Sequence, residues 1–428
     1  MNATRQIHRL TAQLLLGALA LFAGSACSDD EARRITLPGD EPADESTTEL
    51  SDDASLGPVY ALSTTLYGAD DSVLSYVTLT DSLDIGELPR GEAREFPGYS
   101  FVSSVDGKLL VSDGESPTIT SYEIGADLSW QESARVNFSN LGISGGGAGF
   151  ERNWLKDADT AYLTLNVTGR VIWSPSEMVI QGVMEDTALV TERDGLQLDA
   201  SFNRQPRLLQ GPILKPFYYR DEDWFRFGPT TSIAVYDPVT NAERSIIDVP
   251  CPSLEVPSQD EAGNTYFSTW SYGPTLGLYG LGPELCVRRI TPESTLDESW
   301  APDLTTWTGG RPVNVFRYMR DGKAVATVLH TDEVDIDYAA GYAEDEAAEL
   351  DTHWRLWFFD LEAETARPIE GIEDVGSGFF WANFEGRTFL FAPNLDWSRS
   401  SVFELDADGN ATQRFESEGF INDWIRVR

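Results

Sequence analysis

The segment between His330 and His353 holds the densest set of residues that could do chemistry. His330 is followed by Asp332, Glu333, Asp335 and Asp337, then by Tyr338 to Tyr342. Glu344, Asp345, Glu346, Glu349 and Asp351 come next, before His353. Side chains alternate faces along an extended strand, so Glu333, Asp335 and Asp337 would share one side. Clustered carboxylates need a counter-charge, and oxygen donors suit a hard divalent cation such as calcium. His330, Asp332, Glu333, Asp335 and Asp337 are therefore the candidate metal ligands. No twelve-residue calcium loop with its central glycine is present, and residues 343–350 also fit a short exposed helix. The competing reading is a solvated acidic face.

A second stretch mixes cations with rings: Arg204, Arg207, Lys215, Phe217, Tyr218, Tyr219, Arg220, Trp224, Phe225 and Arg226. Charge-assisted hydrogen bonds and stacking could hold a small anionic, aromatic ligand there. Arg204, Arg207, Lys215, Arg220, Trp224 and Arg226 are the candidate ligand-binding residues. Alternatively the rings are core and the arginines balance Asp221, Glu222 and Asp223. Gly145-Gly146-Gly147-Ala148-Gly149 could cradle an anion, but no helix pattern follows it, as binding at a helix N-terminus requires. A flexible connector is expected there instead. No Gly-x-Ser-x-Gly elbow, His-Glu-x-x-His, phosphate loop or Cys-x-x-Cys occurs. No catalytic residue is assigned on this basis.

The elements that must position these groups are short strands. Between Tyr99 and Phe138, four runs rich in β-branched and aromatic residues are separated by Asp106-Gly107, by residues 113–117 and by residues 125–127. Asp-Gly between two apolar runs signals a tight hairpin, and four strands in about 40 residues is the size of one propeller blade. The same order recurs: strand, acidic-glycine turn, strand, variable loop, apolar strand. Asp106-Gly107, Gly263-Asn264, Asp321-Gly322 and Glu385-Gly386 occupy one slot of it. The expected fold is an all-β, seven-bladed β-propeller over residues 58–428, with six or eight blades as alternatives because residues 178–210 are hard to assign. A pair of β-sandwiches is the other architecture that fits. The last run, Phe420 to Val427, is a candidate to pair with the N-terminal run and close the ring.

The N-terminus reads as an address. Arg5, His8 and Arg9 precede an apolar run from Leu10 to Phe22, and small residues lead to Cys27. Residues 1–26 have the plan of a secretory signal peptide. Residues 27–57 are acidic, contain Pro38 and Pro42 and hold few large apolar side chains, so a disordered, self-repelling tether is expected. Beyond the leader, 29 basic residues face 70 acidic ones, a net charge of -41. Such a charge argues against nucleic acid as a partner, since a phosphate backbone needs a basic face. Cys251 and Cys286 are an even pair in an exported chain once Cys27 is set aside, and they could bridge; two buried free thiols is the alternative.

Gly24-Ser25-Ala26-Cys27 resembles the bacterial lipoprotein processing box, departing from it at Gly24, where leucine is usual. With the strand grammar, the chain resembles exported bacterial β-propeller lipoproteins, some of them associated with iron–siderophore acquisition. That resemblance implies lipidation at Cys27, anchoring in the cell envelope at the outer membrane, facing the periplasm or the cell surface, and an accessory part in metal or siderophore handling. It fixes no catalytic residue. The expected function is a non-enzymatic binding or scaffolding module for a small anionic ligand or an envelope protein. A metal-dependent hydrolase or lactonase is the rival class. Replacing the acylated sulfur tests the address: Cys27→Ser should leave the protein soluble and unacylated in a membrane fractionation, and retention in the membrane would contradict it.

Overall fold

The computed structural model describes residues 57–428 apart from 69–71, 89–92, 202–210, 270–274, 283–284 and 377. The expected leader, Cys27 and the tether lie outside the described residues. Seven antiparallel sheets follow one another along the chain, and the protein is a seven-bladed β-propeller.

Five of the sheets have four strands. Blade 4 has five, because the two-residue strand Glu192–Arg193 is added beside Leu196–Ala200. Blade 5 has three: Leu254–Gln259, Thr265–Thr269 and Val287–Ile290. The hard-to-assign stretch divides here. Val179–Glu185 is the outer strand of blade 3, and Leu196–Ala200 belongs to blade 4.

Blade 1 closes the ring. Its innermost strand is the C-terminal Phe420–Arg426, paired antiparallel with Tyr60–Tyr67 from Tyr60↔Arg426 to Thr65↔Phe420. This is the pairing expected for the last run.

Strand alternation explains why the chain reads as apolar runs rather than as apolar–polar alternation. Each blade is covered on both faces, so successive residues pack against opposite neighbours. Tyr60 and Leu62 join Phe380, Phe384 and Trp424 towards blade 7, whereas Val59 and Ala61 join Val102, Leu109 and Val111 towards blade 2. A separate apolar cluster fills each of the seven interfaces between blades. Trp424 is wholly buried at the closing interface, with its ring 4.9 Å from that of Phe389 and 5.3 Å from that of Phe384.

The acidic-glycine turns are as expected at three of the four sites. Asp106-Gly107, Asp321-Gly322 and Glu385-Gly386 have positive φ at both residues, the type I′ signature whose twist matches the flanking strands. Gly263-Asn264 lies in the corresponding place but within a longer loop, folded around the Asp260 carboxylate, which accepts from the Asn264 backbone N–H at 2.8 Å. Residues 145–149 connect blades 2 and 3, as expected, but the connector is tightly packed rather than loose. A Cβ at Gly146 would lie 2.5 Å from the Gly114 carbonyl oxygen.

Candidate functional site

Strands in a blade alternate direction. The loop between the second and third strands therefore opens on the same face as the connector from each outer strand to the next inner one. On that face, over blades 4 to 6, the described residues of three loops build a raised platform: 221–226, 275–282 with 285–286, and 330–353. It contains its own small core, in which Leu329, Leu350 and Trp354 are buried against Leu278, Leu285, Val334, Ile336 and Tyr338. The Cys251–Cys286 disulfide, with Cα atoms 6.1 Å apart, ties the end of the blade 5 loop to the connector that enters that blade's inner strand.

The residues of the acidic segment take three different roles. His330, Asp332 and Glu333 come together with cations that sequence reasoning missed. Arg311, just before the inner strand of blade 6, donates to both oxygens of Asp332 at 2.9 and 2.8 Å. Arg355 donates to both oxygens of Glu333 at 2.7 Å, and its Nε donates to Asp374 at 2.6 Å. The hydrogen bonds from Arg311 and Arg355 hold the Asp332 and Glu333 carboxyls below their usual range. His330 is 5 % exposed, and burial, with the Arg355 and Arg311 charges behind it, lowers its pKa. The Trp357 indole N–H donates to His330 Nε2 at 3.1 Å. Arg355 Nη1, which can only donate, lies 3.0 Å from Nδ1, so both ring nitrogens of His330 face donors.

Asp335 and Asp337 do not join that group. Both are exposed, and Asp337 accepts from the Ala339 backbone N–H at 3.1 Å, capping a short 3-10 turn. The expected extended segment is not formed: 3-10 turns at Thr331–Glu333 and Tyr338–Ala340 break the alternation that would have aligned the three carboxylates. The helical alternative for the next stretch is realised as Glu344–Leu350, with Ala347 and Leu350 turned inward. Asp351 follows it. Burial pushes its carboxyl up to about 6, opposed by hydrogen bonds from Trp354 and Thr275. Among the described residues, no group of three or more His, Cys, Asp or Glu side chains could hold a metal ion.

The cation-rich stretch is likewise divided. Arg204 and Arg207 lie outside the described residues. Phe217, Tyr218 and Tyr219 are blade core. Arg220 stacks 3.6 Å over the Trp224 ring and donates to Asp199 Oδ2 at 2.7 Å. Arg226, exposed, pairs with Asp221 at 3.1 Å. Lys215 stands five residues before Arg220 on the same strand, on the opposite face and about 17 Å away along it. It is 1 % exposed, its Nζ lies 4.7 Å over the Phe217 ring, and it has no hydrogen-bond partner among the described residues. Arg170, whose charge reaches Lys215, is itself paired with Asp186, which accepts from Tyr236 Oη at 2.9 Å.

Sequence reasoning also passed over Glu255 and Arg317, wholly buried on the inner strands of blades 5 and 6. Each stands at or beside a break in the ladder, and Val315 adopts a φ of 47° there, a strained conformation for a β-branched residue. A lone charge inside an apolar run, as in Leu254-Glu255-Val256 or Trp354-Arg355-Leu356, was the available signal for these residues.

No family model matches this chain, and no curated relative matches it. Solved propellers are similar in fold. The periplasmic gluconolactonase PpgL of Pseudomonas aeruginosa is 13% identical with a TM-score of 0.49, over 86% of this chain and 99% of that one. A variant of Synechocystis apocarotenoid oxygenase is 10% identical with a TM-score of 0.47, over 87% and 93%. The β-propeller domain of the Trilobed protease from Pyrococcus furiosus is 10% identical with a TM-score of 0.42, over 84% and 93%. At these values the likeness carries no argument about chemistry, and the seven-bladed assignment rests on the sheet topology.

Burial, with the Arg170 charge adding to it, lowers the Lys215 pKa from 10.5 to about 7. Between pH 7 and 10.5 the unfolded chain holds a proton that the folded chain lacks, so this residue's contribution to stability rises with pH and its cost is complete below pH 7. Lys215→Met should therefore stabilise the fold by on the order of 2 kcal/mol at pH 7 and by much less near pH 10. Thermal melts at the two pH values check this; an equal shift at both would contradict it.

Proposed function

We propose that the protein is an exported, lipid-anchored binding module of the cell envelope, and that the platform over blades 4 to 6 is its recognition surface. One observation carries the reading. Asp332 and Glu333, two of the candidate metal ligands, are each clamped in a bidentate pair by Arg311 and Arg355. Bidentate guanidinium–carboxylate pairs fix geometry as well as charge. Here they fasten the 330–353 loop to the entry of the inner strand and to the third strand of blade 6, which supports a preformed surface rather than a reaction centre.

The resemblance to siderophore-associated lipoproteins gives a narrower form of the proposal. An anionic siderophore would bind away from the outer face of the platform, whose exposed charges at Glu344, Asp345, Glu346 and Glu349 are negative.

The rival reading makes a different prediction. Purified protein incubated with a panel of lactones and esters should show no turnover above the buffer rate, with or without a divalent cation. Turnover that a chelator abolishes would overturn the binding-module reading in favour of a metal-dependent hydrolase.

A further inference from the structure

We infer that the outer face of the platform docks a cationic segment of a partner protein, with arginine side chains stacked on Tyr342 and Phe225. This rests on the binding-module reading and deepens it.

Seven large apolar side chains are exposed among the described residues: Val179, Val183, Val190, Phe225, Val239, Tyr342 and Leu395. The two rings among them touch each other. Tyr342 is 40% exposed and Phe225 37%, with centroids 5.9 Å apart, although they come from loops of blades 6 and 4. The blade 5 loop fixes both. Tyr279 packs edge-on to Tyr342 at 5.5 Å, and the Gly282 backbone N–H donates to the Phe225 carbonyl at 2.7 Å. Three loops thus converge to hold two aromatic faces against water, an arrangement that marks an interaction surface.

The charges around these rings define the occupant. Glu344, Asp345, Glu346 and Glu349 lie within seven residues of Tyr342, and Glu222 and Asp223 precede Phe225, all six exposed; Arg226, which follows Phe225, is paired with Asp221. None of the six makes an ion pair among the described residues, whereas Asp332 and Glu333 in the same loop are clamped. Aromatic faces inside a negative field suit cations. Two occupants that the chain itself could offer have the wrong sign. The tether from Ser28 to Gly57 has ten acidic and two basic residues, and a second copy brings a charge of -41. An anionic bilayer surface is repelled in the same way. A partner protein presenting basic side chains fits. Arginine fits better than lysine, because its planar, weakly hydrated guanidinium stacks on rings.

The test titrates the mature chain, tether included, with fluorescein-labelled nona-arginine and nona-lysine, read by anisotropy. One saturable site is expected, tighter for nona-arginine by at least fivefold. Tyr342→Ala and Phe225→Ala should each weaken nona-arginine about tenfold and erase its advantage over nona-lysine. The double change Glu344→Gln with Glu346→Gln should weaken both peptides. Glu362→Gln with Asp408→Asn, which removes the same charge from the opposite face, should change neither. All these positions are exposed, and unchanged melting curves confirm folding.

Equal affinity for the two peptides with no effect of Tyr342→Ala would reduce the binding to diffuse charge and overturn the inference. A dimer in sedimentation that Tyr342→Ala dissolves would make a second copy the occupant, and would also overturn it. Either failure leaves the binding-module reading standing, since that reading falls on catalytic turnover instead.

Discussion

Ring closure through the pairing of Phe420–Arg426 with Tyr60–Tyr67 is the constraint on which the other interfaces depend. A blade has two apolar faces and cannot bury either alone. Each face finds cover only if the next blade is present, so the row of sheets must meet itself. The chain does this by giving its last strand to the first blade, and it places Trp424 at the join among Phe384, Phe389 and Phe415. A fully buried tryptophan there contributes large apolar area at an interface that joins residues from the two ends of the described chain.

Closure fixes the inner strands, and those strands fix the platform. Arg311 and Arg355 stand at the ends of strands of blade 6, so their guanidinium groups are placed by the ring before the long loop is considered. The loop is then fastened at Asp332 and Glu333, and Asp374 from the neighbouring connector shares Arg355. Exposed ion pairs contribute little singly, but a shared network with bidentate geometry restricts conformation. Lys215 illustrates the opposite balance. It is a cation kept inside an interface without a counter-charge, and it is tolerated because it can give up its proton.

How much of this was legible differs by scale. Propeller architecture could be read because burial on both faces leaves apolar runs and because acidic-glycine turns such as Asp106-Gly107 and Asp321-Gly322 need left-handed backbone. Blade 4 was obscured because Leu196–Ala200 is short, polar at alternate positions, and separated in sequence from its partner strand Leu214–Arg220 by 13 residues, 201–213. The acidic segment was recognised, but the partners of its carboxylates were not. The cations that neutralise Asp332 and Glu333 lie 21 and 22 residues away, Arg311 just before one strand and Arg355 inside another that reads as core. The aromatic pair was invisible as a pair, since Phe225 and Tyr342 meet only when blades 4 to 6 are arranged in a ring.

The central claim is that the platform is a preformed surface, and hydrogen exchange of the backbone amides tests it most directly. His330 and His353 amides donate to the His353 and Leu350 carbonyls, and the Asp351 amide donates to Ala347, each at 3.0 Å. If the arginine clamps hold the loop as described, these amides should be protected by a factor on the order of a thousand or more without any partner present. Exchange at the rate of an unstructured peptide across residues 330–353, with the blade strands still protected, would contradict it.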